Sequence, residues 1–364
     1  MTVNKTVLVA AVAILVVGSA IAIPLVFFKQ ENVEKTYTFE DTLGNEISLD
    51  IPLSGVCITN PYLAVNMRLY GLSEYVKGAS WDSPMFMFDP LVKAIYEGVP
   101  NIGSDMAPNP TSILQTECNV VISTAGARDV GNVDVLKDHG ITTIFLSGTG
   151  MTAMDDMDII KKLFGAENKQ SVKDFENFYR NSVMDTKEKI AALGLDEFTF
   201  LIPHAWGGTT PRYSGVGAHG GLAMKMLTPK AKNLLSTLAP DDKSSSVFVS
   251  SDLIAANLDS VDYVFILGVA PGTPNGRAFP DNFIGWVPSA PMSQPYVNEN
   301  AYWFDYNLFF TLFDFVGYMA MAEMLGATFE KTALEAANGV LETYIPEATQ
   351  FTNIFGKHTP AETV

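Results

Sequence analysis

From Thr152 to Leu193 the sequence holds a helical period with little turn chemistry, and this stretch limits what the chain around it can become. Ile159, Ile160 and Leu163, then Val172, Phe175, Phe178, Tyr179 and Val183, recur at three- and four-residue spacing, with charged residues filling the other face. The spacing predicts a short helix, a break at Gly165 and one long helix over about Ser171–Leu193. A segment of that kind is a stiff connector. The plan is therefore lobe, long helix, lobe, and only one connection joins the two halves.

Both halves alternate short apolar strands with helices. Tyr37 to Leu49 alternates about Leu43-Gly44-Asn45 and reads as a β-hairpin. Strand Val56–Thr59 follows, with helices over Pro61–Leu72, Pro90–Glu97 and Pro110–Thr116, strand Val120–Ser123, helix Val133–His139 and strand Thr143–Leu146. Beyond the connector come strand Phe198–Ile202, helices His219–Leu227 and Ser251–Asn257, and strand Tyr263–Leu267. A loop rich in Gly, Pro and Asn runs from Gly268 to about Asn298. Ala301 to about Leu325 is apolar and aromatic, but Asp305, Asp314 and Glu323 oppose membrane insertion, and one or two packed helices are expected there, with Trp303 in their core. Glu330 to Thr343 reads as an amphipathic helix, and the tail after Pro346 as frayed. The expected fold class is α/β, two doubly wound lobes joined by one long helix. Its expected divisions are an N-terminal membrane segment at 1–35, a first lobe at 36–150, the linking helix at 151–193, a second lobe at 194–346 and a tail at 347–364.

Composition removes several function classes. Of 364 residues 48% are hydrophobic and 17% charged, which supplies ample core and excludes a disordered chain. Twenty-three Lys and Arg stand against 40 Asp and Glu, a net charge of −17, so no nucleic-acid partner is expected. Two cysteines cannot build an all-cysteine zinc or iron–sulfur site. Cys57 lies in one strand-like run and Cys118 just before another. A disulfide and a pair of buried thiols both remain open readings.

Val7 to Phe28 is apolar apart from Gly18, Ser19 and Pro24, and as a helix it spans about 33 Å, enough for a bilayer core. It reads as a single N-terminal anchor. Cleavage after Ala22, at Ala20-Ile21-Ala22, is the rival reading. Either way the rest of the chain is expected on the extracytoplasmic face or secreted.

In doubly wound sheets ligands meet the loops that follow the strands. Those loops hold Arg128 after the Val120 strand, His204, Trp206, Arg212 and Tyr213 after the Phe198 strand, and Arg277 after the Tyr263 strand. The planar guanidinium fork of arginine suits carboxylates and catecholates, which makes Arg128, Arg212 and Arg277 candidates for an anionic ligand. Trp81, Trp206 and Trp286 in loops, with Tyr62 opening the first helix, offer aromatic faces to flat ligands. Among the histidines, His139 reads as a helix C-terminal cap, His204 as a candidate contact to a metal complex, and no pair has metal-ligand spacing. Gly215-Val216-Gly217-Ala218-His219-Gly220 fits a dinucleotide fingerprint in letters, but it lies too far from the preceding strand for the required tight turn. No resident metal, cofactor or catalytic pair is expected.

The order of motifs resembles the helix-linked class of substrate-binding proteins, which serve ABC importers for iron–siderophore complexes, haem and cobalamin. Tyr37-Thr38-Phe39-Glu40-Asp41 through Gly44-Asn45-Glu46-Ile47 is similar to the family's opening hairpin, and Pro100-Asn101-Ile102-Gly103 to its P-x-v-G turn. Asn109 to Ile122, Leu163-Phe164-Gly165-Ala166-Glu167, Ser214-Gly215-Val216-Gly217 and Ser250-Ser251-Asp252 through Asp262 match further family segments in order and spacing. The resemblance implies a binding protein that captures an iron complex or a corrinoid and delivers it to an ABC permease with its ATPase. It also implies docking carboxylates on each lobe. Asp252 occupies the second-lobe position, while Thr111 replaces the first-lobe glutamate and leaves Asp105 as the nearby substitute. Two readings of other classes are a membrane-anchored ligand-sensing ectodomain and a nitrogenase-like reductase. The cysteine count does not supply the cluster ligands that the reductase needs.

Overall fold

The structure, a computed structural model, describes residues 35–80, 90–104, 107–124, 133–146, 153–204, 212–213, 224, 227–240, 247–268, 280–305, 308, 311–348 and 350–358. The Val7–Phe28 segment lies outside them. Among the described residues no helix is long and apolar enough to cross a membrane.

Strands β1 (Lys35–Glu40) and β2 (Glu46–Ile51) form a separate two-stranded sheet. Asp41 fixes the turn between them. Its carboxylate accepts from the amides of Leu43 and Asn45 at 3.0 and 2.9 Å, from the Asn45 side chain at 3.0 Å, and from the Phe145 amide at 3.1 Å. One buried side chain thus shapes the hairpin and ties it to the first lobe. Replacing Asp41 by Ala leaves these donors unmatched and is expected to cost about 2 kcal/mol in urea denaturation.

The first lobe follows: β3 (Val56–Ile58), α1 (Pro61–Leu69), β4 (Val76–Ala79), α2 (Pro90–Tyr96), α3 (Pro110–Gln115), β5 (Val120–Thr124), α4 (Val133–Asp138) and β6 (Thr142–Leu146). Its sheet has the order β4-β3-β5-β6, and all pairs are parallel. Side chains alternate between faces. Val56 and Ile58 enter the main core, while Cys57 and Val121 enter a second cluster with Ile102, Ile113, Leu136 and Phe145. Asn60 and Asn109 cap α1 and α3 by accepting from the Tyr62 and Ser112 amides.

Helix α5 (Ala153–Leu163) ends at Gly165, whose φ of 60° is the left-handed turn that breaks the helical run. Helix α6 (Gln170–Ala192) is the linking helix and buries Val172, Phe175, Tyr179, Thr186 and Ile190 along one stripe.

The second lobe comprises β7 (Phe198–Leu201), β8 (Ala231–Asn233), α7 (Leu235–Leu238), α8 (Ser251–Asn257), β9 (Tyr263–Gly268), α9 (Pro280–Trp286), α10 (Gln294–Val297), β10 (Ala301–Asp305), α11 (Asp314–Met324), α12 (Ala333–Tyr344) and β11 (Phe355–Lys357). The sheet order is β11-β10-β9-β7-β8, parallel except for the terminal β11. Phe200, Phe265 and Phe304 point to the main core, Leu201, Val264, Ile266 and Trp303 to the opposite face. The main core is continuous from β3 through Phe175 of α6 to Phe304 and α11.

Three expectations are corrected. Ala301–Asp305, expected within a helix, is a strand buried at every residue, because a short continuous apolar run has no period that separates a strand from a helix. Helix α11 does follow, with nine consecutive buried residues from Asp314 to Ala322. The tail is not frayed up to His358: β11 pairs antiparallel with β10, and the imidazole of His358 meets the Tyr296 hydroxyl at 2.8 Å. The stretch expected as loop to Asn298 contains α9 and α10. Helix His219–Leu227 lies largely outside the described residues.

Candidate ligand-binding site

Parallel strands place their carboxyl ends at one edge of each sheet, and the chain puts polar residues there. In the first lobe Thr59, Ser80 and Ser123 close three adjacent strands. The Ser80 amide donates to the Ile58 carbonyl and the Thr59 amide to the Ile122 carbonyl, both at 3.0 Å, which sets the three residues side by side. Continuing the pleat puts all three on the Cys57 face. All are buried, the Thr59 hydroxyl donates to the Ser123 hydroxyl at 2.8 Å, and the Ser80 hydroxyl has no partner among the described residues. Trp81 and Arg128, in the loops that follow Ser80 and Thr124, lie outside the described residues, as does Asp105.

In the second lobe the chain continues past β7 so that His204 bridges Leu267 in parallel, and Pro203 bridges Tyr213 in antiparallel. The His204 amide donates to the Arg212 carbonyl at 2.8 Å. Three predicted residues, His204, Arg212 and Tyr213, are thereby brought together at the end of the sheet. They differ in exposure. His204 is buried, Tyr213 is fully buried in the second-face cluster, and Arg212 is exposed with its guanidinium 5.1 Å above the Phe248 ring. Burial pushes the Tyr213 phenol up, and its hydroxyl has no partner among the described residues. Asp305 ends β10 in register with Gly268 and is also buried. Trp206 and Arg277 lie outside the described residues.

The remaining candidates occupy other settings. Tyr62 is a core residue at the start of α1, packed in the main cluster. Trp286 ends α9 half-buried against the second-face cluster. Asp252 is exposed in the first turn of α8, where the cap is Ser250, whose hydroxyl accepts from the Leu253 amide at 3.2 Å. Asp252 is thus free of capping duty and its charge complements the helix N-terminus. His139 caps the end of α4 as expected, with Nδ1 2.8 Å from the Val135 carbonyl. Among the described residues no group of three His, Cys, Asp or Glu side chains is arranged to hold a metal ion.

Thr59, Ser80, Ser123 and Asp305 were not among the site residues expected from the sequence. Their common signal is a polar residue directly closing an apolar strand run.

No known family profile matches the sequence, and no curated protein matches it. Solved structures do. The TroA-like periplasmic binding protein FepB from Veillonella parvula superposes with a TM-score of 0.65 at 14% identity, covering 88% of this chain and 99% of its own. The triscatecholate siderophore binding protein FeuA from Bacillus subtilis, complexed with ferri-bacillibactin, gives 0.61 at 18% identity, covering 79% and 98%. A periplasmic haem binding protein from Pseudomonas aeruginosa gives 0.56 at 14% identity, covering 85% and 99%. At such identities the likeness is one of architecture, and it spans almost the whole of each relative: the chain has the two-lobe, helix-linked fold of the TroA-like periplasmic binding proteins.

Proposed function

We propose that the chain is the extracytoplasmic solute-binding component of an ABC importer, held at the membrane through residues 7–28, and that it captures an anionic, siderophore-like iron complex between its lobes. The observation that carries this reading is the fold: two parallel sheets joined by one long helix, superposing over nearly the full length of periplasmic binding proteins, one of them bound to a ferric catecholate siderophore. Ligand contacts are assigned to Arg128, Arg212 and Arg277, with Trp81, Trp206 and Trp286 as aromatic walls and His204 and Tyr213 behind Arg212. Tyr62 then acts through packing. A stiff linking helix suits ligand capture with small lobe movements. Asp252 on α8 is assigned to permease docking, with Asp105 on the other lobe.

Haem is the second reading, favoured by the haem-binding neighbour of the same fold and by an imidazole at the end of β7. Cobalamin is the third. Absorbance and tryptophan-fluorescence titrations of the full chain in detergent with a ferric catecholate, a ferric hydroxamate, haem and cobalamin separate them. The ferric catecholate is expected to bind, and replacing Arg128, Arg212 and Arg277 by Ala to weaken it at least about tenfold through loss of charge-assisted hydrogen bonds. Haem or cobalamin binding alone moves the assignment to that ligand. Unchanged affinity in the triple variant removes the arginines from the site.

A further inference from the structure

The chain has two cysteines, 61 positions apart in sequence, and the fold puts both into the same small cluster on one face of the first sheet. Cys57 sits in β3, paired in register with Val121 of β5. Cys118 lies just before β5, beyond Glu117, whose φ of 62° turns the backbone sharply. Each thiol shifts the ionisation of the other, and Thr116 lowers both. The Thr116 hydroxyl is 3.2 Å from Cys57 Sγ and gives its own proton to the Ile113 carbonyl at 2.7 Å. The room around Cys57 depends on Gly78. A Cβ there would stand 2.8 Å from the Cys57 sulfur and 2.6 Å from Ile102, so the neighbouring strand must carry glycine. Both sulfurs are free in this structure.

We propose that Cys57 and Cys118 are a built cross-linking site, which a low-molecular-weight or protein disulfide oxidises to an intramolecular disulfide tying β3 to the α3–β5 turn. The two sulfurs stand unequally. Cys57 is fully buried, and Cys118 is 5% exposed at the turn. The neighbouring Cys57 lowers the Cys118 thiol to about 7, while Cys118 and burial push the Cys57 thiol up. Cys118 is therefore the attacking thiolate. It displaces one thiolate from the oxidant and forms a mixed disulfide. Cys57 then loses its proton, attacks the Cys118 sulfur and expels the second thiolate. The protein gives up two electrons and two protons, and the oxidant disulfide becomes two thiols. Closure brings the two sulfurs to a bond of about 2.05 Å within the cluster they already share. The cross-link restricts the unfolded chain and so stabilises the fold. The assignment does not depend on which ligand the protein carries.

The test uses the full chain in detergent, incubated folded with oxidised glutathione, then digested without reductant and mapped by mass. The expected product is one peptide pair joining residues 57 and 118, lighter by two hydrogens, in a chain that remains monomeric. Its Tm rises by about 5 °C over the reduced protein, and dithiothreitol reverses the rise. Neither Cys57→Ser nor Cys118→Ser shows the shift. Cys57→Ser accumulates a glutathione adduct at Cys118, whereas Cys118→Ser leaves Cys57 unmodified. Two free thiols per folded chain after oxidation, in a sample whose urea-unfolded control does cross-link, would overturn the proposal. So would adducts or intermolecular dimers in place of the internal bond.

Discussion

Replacing Phe175 by Ala is expected to cost the protein about 3–5 kcal/mol of unfolding free energy, the cost of emptying a buried aromatic site. The residue is fully buried at the middle of the main core. Its ring centroid is 5.3 Å from Tyr70 in the first lobe, 6.2 and 6.4 Å from Phe178 and Tyr179 on its own helix, and 5.2 Å edge-on from Tyr344 of α12 in the second lobe. One ring thus touches all three parts of the fold, and little around it can collapse without moving a lobe. Phe178, one turn on, makes an edge contact with Phe315 but is 36% exposed. Phe178→Ala should therefore cost far less, about 1 kcal/mol. Urea denaturation of the two variants checks the contrast. Equal losses would mean that the linking helix is a tether and not a packed member of the core.

That helix was also the most legible part of the sequence. Its 3.6-residue period ran unbroken for six turns, set off from the preceding helix by Gly165 and followed by Gly194, so local signals and tertiary packing agreed. Strands β3, β5, β7 and β9 were legible for a similar reason: each is an apolar run bounded by polar or turn residues. Strand β4, Val76–Ala79, was not. It contains Lys77 and Gly78, and Gly78 is there because Cys57 and Ile102 crowd it, a fact of the neighbouring strand and loop. Strand β11 has three residues and exists only because β10 offers it a free edge. β10 itself was hidden inside a longer apolar run whose second half is helical.

The site divides in the same way. Residues that follow strands could be picked out by position, and His204, Arg212 and Tyr213 do come together. What position could not supply was side-chain direction. Tyr213 and Arg212 are adjacent, yet one is fully buried and the other exposed over Phe248. The row Ser80, Thr59 and Ser123 comes from three distant segments and is visible only once the register β4-β3-β5 is known.

The joint between the lobes holds a carboxylic acid whose ionisation should set how stability depends on pH. Asp314 opens α11 and is 1% exposed. The Tyr318 hydroxyl donates to Oδ2 at 2.6 Å, the Tyr179 phenol of the linking helix also favours the charged carboxylate, and Oδ1 has no partner among the described residues. Two residues before Asp314, the Leu312 amide donates to the Asn66 side chain of the first lobe at 2.7 Å, a polar contact that joins the lobes here. Burial raises the Asp314 carboxyl to about 7, and the two tyrosines only partly oppose that rise. In the unfolded chain it titrates near 4. The folded state therefore binds the extra proton. The stability this group contributes is present in full below the unfolded value and is lost as the pH rises through the folded value. Between pH 5 and pH 8 the loss should be about 2–3 kcal/mol. Asp314→Asn, which keeps the shape and cannot ionise, should remove that slope and be the more stable protein at pH 8 relative to wild type at the same pH. Urea denaturation of both proteins at matched pH values measures the difference directly, since every other titrating group is common to the two. Parallel stability curves would mean that Asp314 is ionised throughout this range, with Tyr179 and Tyr318 sufficient to hold its charge inside the joint.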